Sequence, residues 1–291
     1  MVAGLPSDAS PLPRLPERPA DSHKGDYGRA LIVGGSRGMA GAVALAGMAA
    51  LRSGAGLVKL AVPEVCLDTV AAWEPSYLTA PLPSDSEGRM HVGAKDRLSQ
   101  LADEATAMAC GPGLGRSAQI SDLVSWMYEV LPLPAVFDAD ALYALAQRAE
   151  PLDEASGARI LTPHAGEFRR FLERPIRGRR ELEQQAIELS ARWQVVIVLK
   201  GHETLITDGK QAFRNTTGNP GMATGGSGDV LTGVITALLG QGLSPLDAAR
   251  LGTYVHGLAG DLAAQQLGQV GMIARDLVRF LPPAFLRISR P

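Results

Sequence analysis

Cysteine is almost missing from this sequence: Cys66 and Cys110 are the only two in 291 residues. They lie far apart and form no metal-ligand spacing. A reduced, cytoplasmic setting fits them, with one disulfide between them left open. An excess of either charge is missing too. The 28 Lys and Arg against 30 Asp and Glu leave a net charge of −2, which supplies no electrostatic reason for a nucleic acid or an anionic membrane as partner. No apolar run reaches the ~18 residues of a membrane-spanning helix. The start of the chain, MVAGLPSDASPLPRLPERPADSH, lacks the basic and apolar regions of a secretory signal. Its Pro, Ser and Ala content predicts a flexible tail over residues 1–23.

Two nucleotide-binding signatures are also absent. No G-x-x-x-x-G-K-[ST] occurs, and there is no true G-x-G-x-x-G. GGSRGMAG has the wrong glycine spacing and GPGLG stops one glycine short. The acidic residue that a dinucleotide fold wants about twenty positions later is missing as well. A conventional hydride-transferring enzyme is therefore disfavoured. Histidine is sparse: His23 lies in the tail, His91 and His256 are isolated, and none forms a metal set with His164. Zinc catalysis is disfavoured with it.

What is present is a hydrophobic content of 46% with 20% charged residues, the balance of a soluble globular protein. From Arg29 onward, short apolar runs alternate with helix-spaced segments. ALIVGG (30–35), LVKLAV (57–62), AMACG (107–111), AVFDA (135–139), RILTP (159–163) and VVIVLKG (195–201) read as strands. Their nearly continuous apolar character is that of strands covered on both faces. AGAVALAGMAALRSGAG, SAQISDLVSWMYEVL and RRELEQQAIELSARW read as the helices between them. The alternation predicts an α/β fold, a mostly parallel sheet in a three-layer α/β/α sandwich. TLITDG and QAFRN then form a hairpin around Asp208-Gly209, followed by helices over 226–241, 245–267 and 274–286. No internal linker is long enough to divide the chain, so residues 24–291 read as one domain.

The strand ends carry GGSRGMAG, GPGLG, DAD, TPHAGE and KGHET. Turns and helix caps explain any one of these clusters. Five at one sheet edge outline a single cleft, since open α/β sheets bind ligands outside the carboxyl ends of their strands. A sixth cluster, GGSGD (225–229), opens the helix at 226–241. The amides of Gly225, Gly226, Ser227 and Gly228 there suit an anion at the positive end of a helix dipole. Asp229 has an ordinary pKa of roughly 4 and so is ionised at neutral pH, fit to accept the proton of a substrate hydroxyl. A simple acidic cap, worth about 0.3–1 kcal/mol, would not need the glycines. In KGHET, Lys200 and Thr204 flank a turn from which they can address phosphate oxygens. In TPHAGE, Pro163 stiffens the strand exit and holds His164 and Glu167 near the cleft, where Glu167 either orients the histidine or holds a hydrated Mg²⁺.

Taken in order, KGDYGRALIVGGSRGMAGA, GPGLG, TPHAGEF, LKGHETLI and NPGMATGGSGDVLTG resemble the ADP- or ATP-dependent NAD(P)H-hydrate dehydratases of the ribokinase-like superfamily. The resemblance covers nearly the whole chain from about Lys24 onward. It implies a cofactor-repair enzyme. The S-epimer of a hydrated nicotinamide nucleotide is phosphorylated on its ring hydroxyl and then loses phosphate, restoring NADH or NADPH with release of AMP when ADP is the donor. Residue by residue, it implies the hydrate near Ala42, Gly113, His164 and Asp229. The donor nucleotide falls on Lys200, Gly201, His202, Glu203 and Thr204 with Gly228 beside it, and Mg²⁺ near Glu167. It also implies a homotetramer, with the apolar helices after residue 226 as interfaces. A separate epimerase is expected to act on the same substrate, because the fused epimerase domain of many members has no counterpart in the short tail. Ala165 stands where the family often has proline, which touches no chemistry. The Arg-rich, Ala- and Gly-rich composition fits a GC-rich bacterial genome and favours ADP. Two other readings remain at this stage: a vitamin-precursor kinase of the same fold (hydroxymethylpyrimidine or hydroxyethylthiazole type), and a nucleotide-binding module without turnover.

Overall fold

Among the described residues, nine strands hydrogen-bond into one sheet in the order β3-β2-β1-β4-β5-β6-β7-β8-β9. They are β1 Arg29–Val33, β2 Leu57–Pro63, β3 Leu78–Leu82, β4 Ala107–Cys110, β5 Ala135–Phe137, β6 Arg159–Leu161, β7 Val196–Leu199, β8 Leu205–Thr207 and β9 Ala212–Arg214. The computed structural model describes residues 11–148, 152–153 and 155–289. From β1 to β7 every pairing is parallel, and the hairpin β8–β9 adds two antiparallel strands at one edge.

The strands are apolar on both sides because both sides are covered. In β1, Ala30 and Ile32 face one core while Leu31 and Val33 face the other. The first core packs under helices α1 (Ala40–Arg52), α8 (Ser227–Gly240), α9 (Pro245–Leu267) and α10 (Ala274–Ser289). The second lies under α3 (Lys95–Asp103), α4 (Ala118–Val130), α5 (Asp140–Leu145) and α7 (Arg179–Trp193). Two short helices, α2 (Leu67–Ala71) and α6 (Ala165–Phe168), sit at strand exits. Small residues bring α1 and α8 together: a Cβ on Gly233 would stand 2.0 Å from Ala46 O. The expected three-layer α/β sandwich is present.

One strand is not apparent from the hydrophobic pattern. β3 carries Pro81 and pairs only with β2, at the sheet edge. An edge strand tolerates a residue with no N–H, so a proline that argues against a central strand does not exclude this one.

Residues 11–22, part of the stretch expected to be a flexible tail, have neither helix nor strand. They nonetheless lie against the body. Leu12 and Leu15 pack on the first core. Arg18 Nη2 donates to Gly54 O at 2.7 Å, and its guanidinium stacks 3.8 Å from the Tyr27 ring centroid. Arg250 Nη2 donates to Pro11 O at 3.0 Å. Residues 1–10 of that stretch lie outside the described residues. Among the described residues no helix is long and apolar enough to cross a membrane.

The strand order reverses between β1 and β4, the topological position at which open α/β sheets bind ligands. Gly34 and Gly35 leave β1 and the GPGLG loop leaves β4, bound to each other by Gly35 N donating to Pro112 O at 2.8 Å.

Candidate active site

The turn after β5 is held in an unusual backbone. Ala139, between Asp138 and Asp140, has φ 50° and ψ −119°, a region that costs an L-residue about 1–3 kcal/mol. Its neighbours hold it there. Asp138 N donates to Cys110 O at 3.0 Å. Asp140 Oδ2 accepts from Gly115 N at 3.0 Å, and Oδ1 from Arg116 Nε at 2.9 Å. The strained turn leaves the Asp138 side chain 1% exposed and aimed at the end of β7.

Lys200 meets it there. Beyond the strands an isolated parallel bridge joins His164 and Lys200, with Lys200 N donating to Pro163 O at 2.8 Å. This register places Lys200 Nζ 2.7 Å from Asp138 Oδ1 and 3.9 Å from Glu167 Oε2. Thr232, one turn into α8, donates its hydroxyl to Asp138 Oδ2 at 2.8 Å. Burial alone would push the Asp138 carboxyl up, but the Lys200 charge and these hydrogen bonds hold it below the ordinary carboxylate range. Burial would likewise depress Lys200, yet Asp138 and then Glu167 hold its pKa above the ordinary lysine value. Two opposite charges are locked together at the floor of the cleft.

Asp229 lies in the first turn of α8, whose N-cap Gly226 adopts φ 90°. The glycine sequence is needed here. A Cβ on Gly226 would come within 2.6 Å of Leu45 Cδ1, and one on Gly228 within 3.3 Å of Lys200 Nζ. The amides of Gly225, Gly226 and Gly228 donate to no backbone carbonyl among the described residues, whereas Ser227 N reaches Thr224 O at 3.4 Å. Three of the four expected amides thus remain open to an anion. Burial, followed by the negative charge of Asp138, raises the Asp229 pKa to about 7; Lys200 partly opposes the shift, and Asp140 and Glu167 add to it. The expectation of a carboxylate with an ordinary pKa is therefore corrected. Asp229 is poised near neutrality, where a general base is most effective.

His164 and Glu167 cap each other at the start of α6. His164 Nδ1 accepts from Gly166 N at 3.0 Å and from Glu167 N at 3.2 Å, while Glu167 Oε2 accepts from His164 N at 2.8 Å. With Nδ1 acting as acceptor, the neutral ring carries its proton on Nε2. His164 is exposed, and its Nε2 lies 3.5 Å from Glu167 Oε1. In KGHET, Thr204 does not stand out toward a ligand: its hydroxyl donates to Gly201 O at 2.9 Å and closes its own turn. Gly201, His202 and Glu203 are exposed on the outer side of that turn. Ala42 and Gly113 lie close together: a Cβ on Gly113 would stand 3.2 Å from Ala42 Cβ and 2.5 Å from Met39 O.

Two buried side chains at this site were not singled out by sequence reasoning. Asp138 lies in the DAD cluster, but nothing in its spacing reveals a lysine partner 62 positions away. His256, isolated in the sequence, lies on α9 beneath the GGSGD turn. Its Nε2 is 3.0 Å from Ser227 O, and burial lowers its pKa to about 4, so the ring is a neutral donor supporting the first turn of α8.

Among the described residues no group of three His, Cys, Asp or Glu can hold a metal by itself. Lys200 and Thr232 engage both oxygens of Asp138, so Glu167 is the carboxylate at this edge whose oxygens fit Mg²⁺, a hard ion that keeps most of its waters and binds one or two carboxylates together with phosphate oxygens.

A carboxylate near neutrality, in the helix turn that carries the open amides and coupled electrostatically to the half-buried Lys200, suits transfer of a phosphoryl group to a hydroxyl, and the scaffold around it is ribokinase-like. Arabidopsis thaliana ribokinase complexed with ribose and ATP matches it with TM-score 0.53 at 13% identity, over 87% of this chain and 98% of that one, a likeness of fold alone. The family is narrower. The family model Carb_kinase, described as NAD(P)H-hydrate dehydratase, matches residues 30–283, and the chain belongs to that family. A Bacillus subtilis ADP/ATP-dependent NAD(P)H-hydrate dehydratase, co-crystallised with ATP and Mg²⁺, is 34% identical with TM-score 0.80, covering 94% of each chain. The bifunctional NAD(P)H-hydrate repair enzyme Nnr of Moorella thermoacetica is 47% identical over 92% of this chain and 51% of its own length. The chain spans about half the length of the curated relatives it matches.

Proposed function

We propose that this chain dehydrates the S-epimer of NADH or NADPH hydrate at the expense of ADP or ATP. The observation that carries the reading is Asp229, held near pKa 7 beside the open amides of Gly225, Gly226 and Gly228. The oxygen of the hydrate's ring hydroxyl attacks the terminal phosphorus of the nucleotide, and Asp229 takes the hydroxyl proton. The bond from that phosphorus to the departing nucleotide breaks, releasing AMP from ADP. The glycine amides stabilise the charge of the transferring group. Phosphate then leaves with the electrons of its C–O bond, the neighbouring ring carbon gives up a proton to water, and the ring double bond is restored.

Ala42 and Gly113 receive the nicotinamide ring, and His164 donates from Nε2 to the substrate. Lys200, the exposed Gly201, His202 and Glu203, and the backbone of Thr204, with Gly228, receive the donor nucleotide. Glu167 would hold a hydrated Mg²⁺, which would supply charge neutralisation for the donor phosphates. The family relatives named for ADP/ATP-dependent dehydration and for bifunctional repair support the substrate class, and with it an epimerase acting on the same hydrate. A homotetramer in the cytoplasm completes the proposal, with Leu267, Val270, Ile273 and Leu286, exposed on or near α9 and α10, as apolar surface for self-association.

The test adds the protein, Mg²⁺ and either ADP or ATP to acid-prepared NADH hydrate and follows the near-ultraviolet absorbance of reduced nicotinamide. Its return identifies the reaction and the donor. No return, with a stable phosphorylated alcohol formed instead from a vitamin precursor, would replace this reading with a kinase of the same fold.

A further inference from the structure

The loop joining β7 to β8, residues 201–204, is held from outside by a charged network with no part in the phosphoryl transfer itself. At its centre is Glu183, one turn into α7 and only 6% exposed. Its Oε1 accepts from Arg179 Nε at 2.8 Å and from Arg214 Nη1 at 3.0 Å, and its Oε2 accepts from Arg214 Nη2 at 2.6 Å. Burial alone would push this carboxyl up, but hydrogen bonds from Arg214 and Arg179 keep it below the ordinary range and ionised.

The other end of Arg179 reaches the loop. Its Nη2 donates to Glu203 O at 2.8 Å, and its Nη1 lies 3.1 Å from where a Cβ on Gly201 would stand. Arg214 Nη1 is 3.9 Å from the Glu203 carboxylate. Glu203 has φ 52°, left-handed backbone that an L-residue keeps only when its surroundings hold it. Inside the turn, Thr204 supplies one restraint through Gly201. Outside it, Arg179 supplies the other. A guanidinium suits this position because its fork donates to two differently placed acceptors at once, which an ammonium on a flexible stem does poorly.

We infer that Arg179, fixed by Glu183 and Arg214, positions the Gly201–Thr204 loop to receive the phosphoryl-donor nucleotide, and so sets affinity for that nucleotide and not for the hydrate. The inference rests on the reading of this loop as the donor site. Arg179, Glu183 and Arg214 are positioning residues: the backbone they hold, and not their own side chains, meets the ligand.

The test measures ADP binding by titration calorimetry, and KM for ADP and for NADH hydrate, in the wild type, Arg179→Met and Glu183→Gln. Arg179→Met is expected to weaken ADP binding and raise its KM by about tenfold or more, the scale of a lost charge-assisted hydrogen bond. The KM for hydrate should stay within about twofold. Glu183→Gln keeps the shape but removes the charge holding both guanidiniums, and should shift the ADP values in the same direction. Arg179 sits at the partly exposed start of its helix, so its variant tests the idea even where Glu183→Gln fails to fold. Unchanged ADP binding in Arg179→Met, or equal changes in the two KM values, overturns the clamp. A wild-type protein that binds no ADP overturns the nucleotide assignment of the loop, a different failure.

Discussion

Lys200 Nζ stands 2.7 Å from Asp138 Oδ1, and this contact sets the electrostatics of the whole cleft. It keeps Asp138 ionised although the carboxylate is buried. The same ionised Asp138 then raises Asp229 toward neutrality, second only to burial as a cause. A structural ion pair thereby tunes a neighbouring base.

The first prediction concerns Asp229 itself. Replacing it by Asn should lower kcat by at least ~10², the scale of a lost general base, while calorimetry shows ADP still binding. In the wild type, kcat/KM should rise with pH through about 7, because the base must first lose its proton.

Asp229 also links pH to stability. Its folded pKa of about 7 lies above its unfolded value, so between these the folded state binds the extra proton. Stability contributed by this group is full at low pH and is lost as pH rises through 7. Asp229→Asn should therefore be more stable than wild type at pH 8, on the order of 1–4 kcal/mol, with the gain vanishing toward pH 4. Denaturant midpoints at both pH values check this.

Asp138→Asn removes a negative charge beside Asp229 and frees Lys200 from its partner. Both effects favour the ionised form of Asp229. The acidic limb of kcat/KM should move to lower pH by about one unit or more, while kcat falls as the lysine loses its anchor. A pH–rate profile with an unmoved limb would separate Asp138 from Asp229.

His256 acts in the opposite sense to Asp229. Its folded pKa of about 4 lies below the unfolded value, so acidification from about 6.5 toward 4 removes the stability it contributes. His256→Gln can keep a donor toward Ser227 O without titrating. Its thermal midpoint should fall less than that of wild type over that interval, and its activity should exceed that of His256→Leu, which leaves the carbonyl without this donor.

Arg159 tests the other end of the sheet. It is 1% exposed and donates to the carbonyls of Tyr128, Leu131 and Leu133, closing the C-terminal end of α4. Arg159→Ala strands these buried acceptors. A loss of about 3–5 kcal/mol in urea unfolding is expected, with the KM for ADP unchanged in the protein that remains folded.

The alternation of apolar runs and helical spacing determined the layers of this fold by itself. The strand positions from β1 through β9 follow local apolar runs, with β3 hidden by Pro81. The GGSGD turn and the His164–Glu167 cap were equally local, since each joins residues at most a few positions apart. What tertiary structure alone decided is charge. Asp138 finds Lys200 across 62 positions and Thr232 across 94. His256 reaches the first turn of α8 across 29. A pKa depends on burial and on charges within a few ångströms, and only the folded sheet brings these side chains that close.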